Sequence, residues 1–346
     1  MRYTKVCIAG FGYELAPNVV SSDDLEKRLI KLYDSLHLQP GQLQALTGIA
    51  ERRFWDPDMR ISAGAVLAGK KALAATGIQP HEIGMLIYAG VCRENLEPAT
   101  ACAVADRLGI KAEAEIYDVS NACLGVLNGM VQIANAIELG QIRAGMVVSC
   151  ESARQIVETT VRRLLETNSM AVFKETIATL TGGSGAVAVV LSEASRCEHG
   201  HRLLGGLTRN ATRYHQLCTW GPDTGIPASL AHVMRTDSVG VLKHGVALGI
   251  ETYRAFKLEL DWPADKPDKV ICHQVGSVHQ RTILESIGID PSKDFSTYRY
   301  LGNIGTVSLP ITAAIAEERQ FLQAGDLVAF LGIGSGLNCL MLGIRW

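Results

Sequence analysis

The chain has 346 residues, 47% hydrophobic and 20% charged, enough to bury the core of one large domain or two ordinary ones, which argues against disorder. A formal net charge of -2 without any block of like charges removes nucleic acid from the expected partners. Residues 1–20 lack a basic start followed by an apolar stretch, and no segment approaches the roughly 20 apolar residues that span a bilayer, so a soluble cytoplasmic protein with no membrane span is expected.

In chain order, short β-rich apolar runs at 6–9, 85–88, 115–119, 146–149 and 187–191 alternate with amphipathic stretches, and further runs follow at 270–272, 327–331 and 339–344. This alternation predicts α/β layering, with helices covering a largely parallel or mixed sheet. After Cys123, Leu124, Leu127, Val131 and Ala134 fall on one helical face, and Gly140 closes that helix. Residues 152–179 read as an additional helical insertion: a flap facing a dimer partner, a cover over an apolar pocket, or plain surface helix. The stretch 197–206, rich in histidine and glycine, is the expected connection between two halves.

An internal echo supports those halves. Gly183-Ser184-Gly185 leads into the apolar run 186–191, and Gly334-Ser335-Gly336 leads into 337–342, each closing a strand-and-helix series. A weaker correspondence sets 83–90 beside 268–275. The expected division is an N-terminal half 1–196 and a C-terminal half 197–346, with functional residues from both meeting at strand ends.

The nine cysteines are an odd number without CxxC spacing and sit mostly in apolar runs, so neither a disulfide framework nor a zinc site is expected. His199 with His201, and His273 with His279, lack companion ligands, so no metal is predicted. Gly10-Phe11-Gly12 lacks the third glycine of a dinucleotide fingerprint.

Three motifs carry chemistry. Residues 117–125 read as a buried strand turning into a helix, which places Cys123 at a helix start where free N–H groups and the dipole favour a thiolate and an oxyanion. A cysteine in such a protein is more often a core residue. The run 270–272 ends at His273, and a lone histidine is more often structural. Glycines at 302 and 305 flank Asn303, which suits a loop presenting its amide, or an ordinary Asn turn. Together the three outweigh their separate readings.

With these motifs the sequence resembles the thiolase superfamily, specifically β-ketoacyl-acyl carrier protein synthase III and its relatives. The resemblance runs from Val6-Cys7-Ile8-Ala9-Gly10 and Thr47-Gly48-Ile49 with Glu51-Arg52-Arg53, through the Cys, His and Asn motifs, to residues 331–339. Within that group, Leu96-Glu97-Pro98-Ala99-Thr100 and 331–339 look closest to the enzymes that join two fatty acyl-CoA molecules head to head toward long-chain olefins. The resemblance implies a thiolase fold, two duplicated α/β halves forming a five-layered α-β-α-β-α core, in a homodimer. It implies that Cys123 takes the first acyl group as a thioester and that His273 and Asn303 contact the second. Glu97 would enter the partner's site as the base, and the backbone N–H groups of Cys123 and Ser335 would hold the oxyanion.

Gln42 and Leu46 stand where the initiating synthases carry a tryptophan and an arginine, so their coenzyme A handle is not inherited and the cofactor-docking residues stay unassigned. No permanently bound cofactor is expected; coenzyme A thioesters are substrates. The alternatives are decarboxylative extension with malonyl-acyl carrier protein, which would make acyl carrier protein a partner, a non-catalytic acyl-binding subunit, and a cysteine hydrolase. The complete Cys, His and Asn set argues against the last two.

Overall fold

The computed structural model describes residues 1–222 and 232–346. Strand β1 (Val6–Leu15) leads to β2 (Asn18–Ser21), the short helices α1 (Ser22–Arg28), α2 (Ile30–Leu36) and α3 (Gln42–Thr47), and β3 (Glu51–Phe54), which pairs with β2. Then come α4 (Ile61–Thr76), β4 (Met85–Ala89), α5 (Thr100–Leu108), β5 (Glu115–Val119), α6 (Gly125–Glu138) and β6 (Ala144–Glu151). Helices α7 (Arg154–Thr167) and α8 (Met170–Thr176) precede β7 (Gly185–Glu193). The remainder is β8 (His201–Asn210), the paired β9 (Cys218–Pro222) and β10 (His232–Thr236), α9 (Ser238–Glu259), β11 (Lys269–Cys272) and α10 (Ser277–Ile287). Helices α11 (Tyr298–Leu301) and α12 (Ser308–Glu318) and strands β12 (Leu327–Gly334) and β13 (Asn338–Arg345) follow.

Nine strands form one sheet in the order β11-β12-β13-β8-β1-β7-β6-β4-β5. Its two sides repeat each other. β4 runs parallel to β6, which pairs antiparallel with β7 and so to β1; β11 runs parallel to β12, which pairs antiparallel with β13 and so to β8. The counterpart of β5 has shrunk to a single parallel bridge between Val270 and Asp294. The two sides meet along a short seam, Cys7 with Arg202 and Ile8 with His201, continued by an isolated bridge between Arg2 and Gly205.

Strand alternation builds the layers, because successive side chains leave opposite faces of a sheet. Ile87, Val147, Val189, Phe330 and Leu342 point inward onto α6 and α12, which are buried on nearly all sides. Leu86, Tyr88, Val148 and Val190 point outward onto α4 and α5, while Val270, Leu331 and Met341 face the α9 and α10 layer. The order is helix, sheet, helix, sheet, helix. Glycine permits the closest approaches: a Cβ on Gly12 would lie 2.3 Å from the carbonyl oxygen of Ala68 and from the amide of Ala72 in α4. Helices α7 and α8 pack on α1 and α2 around Leu29, Tyr33, Val161 and Phe173, a separate apolar cluster capping the first side.

Two expectations are corrected. The stretch 197–206 is not wholly a connection, since β8 starts at His201 and is bonded on both edges. Its glycines mark backbone crowding rather than freedom: Cβ atoms at Gly205 and Gly206 would lie 2.3 and 2.4 Å from the carbonyls of Met1 and Met341. Strand β5 is not buried but forms the half-exposed edge of the sheet. Among the described residues no helix is long and apolar enough to cross a membrane.

Candidate active site

Cys123 lies in a sharp turn between β5 and α6. Ala122 ahead of it adopts φ +44°, a left-handed conformation that costs a non-glycine residue about 1 kcal/mol or more and persists only where the surroundings fix it. The fixing contacts are visible. Leu124 N–H donates to the Asn121 carbonyl at 2.9 Å, the Asn121 amide donates to Asn128 Oδ1 at 2.8 Å, and Asn338 donates to Asn121 Oδ1 at 3.1 Å. Gly334 closes the turn from the other side, where a Cβ would sit 3.3 Å from the Cys123 nitrogen. Ser335 follows, with its carbonyl accepting from the Asn338 amide at 3.3 Å, so the Gly334-Ser335-Gly336 segment borders Cys123.

The expected helix-start thiolate is corrected. Helix α6 begins at Gly125, two residues beyond the cysteine, and the Val126 N–H is taken by Thr306 Oγ1 at 2.7 Å. Burial pushes the half-buried Cys123 thiol up to about 12, with Cys218 and Glu151 acting in the same direction and the residue's own backbone N–H opposing. In the free protein Cys123 is therefore a neutral thiol.

His273 follows β11 and is held by its N–H to the Leu331 carbonyl at 3.0 Å. Its Nδ1 lies 2.8 Å from Ser308 Oγ at the start of α12. Burial, reinforced by the nearby His279, lowers it to about 4, so the imidazole is neutral at ordinary pH. Asn303 sits between Gly302 (φ +69°) and Gly305 (φ +62°). Its N–H donates to the Thr181 carbonyl at 2.9 Å, its carbonyl accepts from Gly183 N–H at 2.9 Å, and its Oδ1 accepts from Gly305 N–H at 3.1 Å. Among the described residues its Nδ2 group meets no acceptor. Gly302 has no alternative here, because a Cβ would lie 2.4 Å from the Thr181 carbonyl.

These three segments converge on the start of α6. The bond from Val126 to Thr306 ties the Asn303 turn to the Cys123 turn, while Gly334 brings in the end of β12, whose Leu331 holds His273. Glu97 lies apart, exposed in the segment 91–99 beside the fully exposed Leu96, and among the described residues no hydrogen bond or ion pair holds it. Sequence reasoning missed Glu151, buried at the end of β6, and Cys218, close enough to act on the Cys123 thiol. The only signal for Glu151 was a carboxylate closing an otherwise apolar run. No group of three or more His, Cys, Asp or Glu side chains suited to a metal occurs among the described residues. A recess of about 250 Å³ between α9 and α10 shares no residue with this site, and its Lys257 and Lys293 are already bonded to backbone carbonyls.

The sheet duplication, the Cys, His and Asn turns and the buried helix pair define a thiolase-fold condensing enzyme, and comparison with known proteins agrees. The 3-oxoacyl-[acyl-carrier-protein] synthase III profile matches residues 117–207 and its C-terminal profile matches 259–346. A Shewanella oneidensis protein named acyl-CoA:acyl-CoA alkyltransferase is 52% identical over 100% of both chains, and one of that name from Xanthomonas campestris is 36% identical over 100% of both. The chain belongs to this acyl-CoA:acyl-CoA alkyltransferase family. Crystal structures of Xanthomonas campestris OleA superpose closely. A cysteine-to-alanine variant has a TM-score of 0.94 at 36% identity, covering 100% of this chain and 98% of that one. A cysteine-to-serine variant with bound lauric acid and lauroyl-CoA has a TM-score of 0.93 at 36% identity, covering 99% and 100%.

Proposed function

We propose that this acyltransferase joins two fatty acyl-CoA molecules head to head, without decarboxylation, through an acyl thioester on Cys123. The Cys123 sulfur attacks the first thioester carbonyl, its proton leaves with coenzyme A, and the backbone N–H groups of Cys123 and Ser335 carry the transient oxyanion. A plain acyl-CoA must then lose an α-proton, and Glu97 of the partner subunit is the base that takes it. With Ser308 donating to Nδ1, His273 is free to donate through Nε2, and together with the Asn303 amide it holds the enolate oxygen. The carbanion attacks the acyl carbonyl on Cys123, the new carbon–carbon bond forms, the C–S bond breaks, and a 3-oxoacyl-CoA leaves.

The observation that carries this reading is the bond between Thr306 Oγ1 and Val126 N–H, which locks the amide-bearing turn of one half against the sulfur-bearing turn of the other. We set the halves at 1–196 and 197–346, with α7 and α8 as the insertion of the first. The exposed edge strand β5 and the exposed tip at Leu96 and Glu97 support a homodimer in which the tips are exchanged. Nine free cysteines fit a reducing cytoplasm.

The test supplies myristoyl-CoA alone to the purified protein. Expected are a protein mass increase equal to the acyl group, absent in Cys123→Ser, and a coupled 3-oxoacyl product without carbon dioxide release. A strict requirement for malonyl-acyl carrier protein would overturn the reading in favour of decarboxylative extension.

A further inference from the structure

The segment 91–99, which carries Glu97, is strung between two strand-end carboxylates. At its C-terminal end Asp118 of β5 accepts the N–H groups of Thr100 and Ala101, both at 2.9 Å, and so caps α5. At its N-terminal end Glu151 of β6 accepts the N–H of Val91 at 2.9 Å on Oε1 and that of Cys92 at 3.2 Å on Oε2. Between them Glu94 accepts from the Ser62 N–H at 3.0 Å, which leaves only residues 95–98 as a free tip.

Glu151 differs from the other anchors in what lies behind it. It is 4% exposed, pairs with no cation among the described residues, and burial pushes its carboxyl above the usual range while the amide and thiol donors around it oppose. Gly305 rests directly on it: a Cβ there would be 3.4 Å from Glu151 Cγ and 3.8 Å from Oε1. Gly305 is the residue whose N–H fixes Asn303 Oδ1. Glu151 is also near enough to act on the Cys123 thiol. Isolated carboxylates in such surroundings are expensive and are retained where both oxygens have fixed donors.

We infer that Glu151 is a positioning residue for the condensation step, one carboxyl holding both the root of the Glu97 segment, which serves the partner's site, and the seat of the Asn303 turn, which serves its own. This rests on the reading of Cys123, Asn303 and Glu97 given above. It separates the two half-reactions. Acyl transfer to Cys123 depends on the 121–125 turn and Gly334, none of which Glu151 holds, whereas it holds one group for proton abstraction in the partner's site and one for enolate stabilisation in its own. In Glu151→Gln one amide oxygen can still accept a backbone N–H, but the NH2 group faces the second donor, so one side of the clamp opens. Glu151→Asp keeps both acceptors and shortens their reach.

The experiment compares wild type, Glu151→Gln and Glu151→Asp with myristoyl-CoA, measuring acyl-enzyme by intact mass and coupled product by mass spectrometry. Both variants should acylate to the wild-type stoichiometry and couple at least tenfold more slowly. Coupling within twofold of wild type in both, or loss of acylation in parallel with coupling in both, would overturn the assignment. If wild type itself formed no acyl-enzyme, the reading of Cys123 would fail before the variants were compared.

Discussion

At the scale of single residues, Cys123 and His273 are both held neutral, the thiol pushed up to about 12 and the imidazole down to about 4 by burial. The pair is not a preformed thiolate–imidazolium couple, and the sulfur gains its reactivity only as its proton leaves with the departing group. The same burial has a stability consequence. His273 binds its proton less readily folded, at about 4, than at the ordinary imidazole value of 6.5, so between those values the unfolded chain takes up the proton first. Its contribution is fully present above about 6.5 and is lost as pH falls toward 4, a difference on the order of 3 kcal/mol. His273→Gln should therefore flatten the fall in urea midpoint between pH 7.5 and 5; His279, shifted in the same direction, leaves part of the slope in place. An unchanged slope would contradict the neutral, buried imidazole. Cys123, His273 and Asn303 could be read from sequence because each stands at a strand end or between glycines. The electrical state of the sulfur could not, because it depends first on burial and then on Cys218 and Glu151, which only folding supplies. Glu151 itself stands two residues past the apolar run at 146–149, with no neighbouring motif to mark it.

At the scale of elements, the strand at 270–272 was legible from its unbroken apolar run and that at 115–119 from Ile116, Tyr117 and Val119 despite the carboxylates of Glu115 and Asp118, and the latter matches β5 residue for residue. Strand β8 was hidden by its histidine and glycines, whose role is to let neighbouring backbones approach. The glycines of β1 do the same work against α4. Gly12→Ala would drive a Cβ into the backbone of Ala68 and Ala72 at 2.3 Å, neither of which can move without displacing the helix. The expected loss is at least about 3 kcal/mol by denaturant titration, toward the upper end of overpacking costs. Gly221→Ala in β9, where a Cβ would meet nothing within 4 Å among the described residues, should change stability little, and equal losses in the two variants would show that close packing on α4 is not what fixes Gly12.

At the scale of the whole molecule, the exposed tip at Leu96 and Glu97 has no partner among the described residues of its own chain, which makes its assignment a question of assembly. Cys123→Ser and Glu97→Ala should each abolish coupling alone. Mixed under conditions that exchange subunits, they should recover about a quarter of wild-type activity, because half the dimers would then hold one intact sulfur facing one intact carboxylate. No recovery after verified exchange would place Glu97 in the site of its own chain or outside the chemistry. The duplicated sides touch as a sheet along a short seam, Cys7 with Arg202, Ile8 with His201 and an isolated bridge from Arg2 to Gly205. What welds them is the hydrocarbon between α6, α12 and the inner strand faces. A nick between Glu198 and His199 would thus sever no rung of either ladder, and the oily surfaces exposed on separation would be the force that reunites the two fragments.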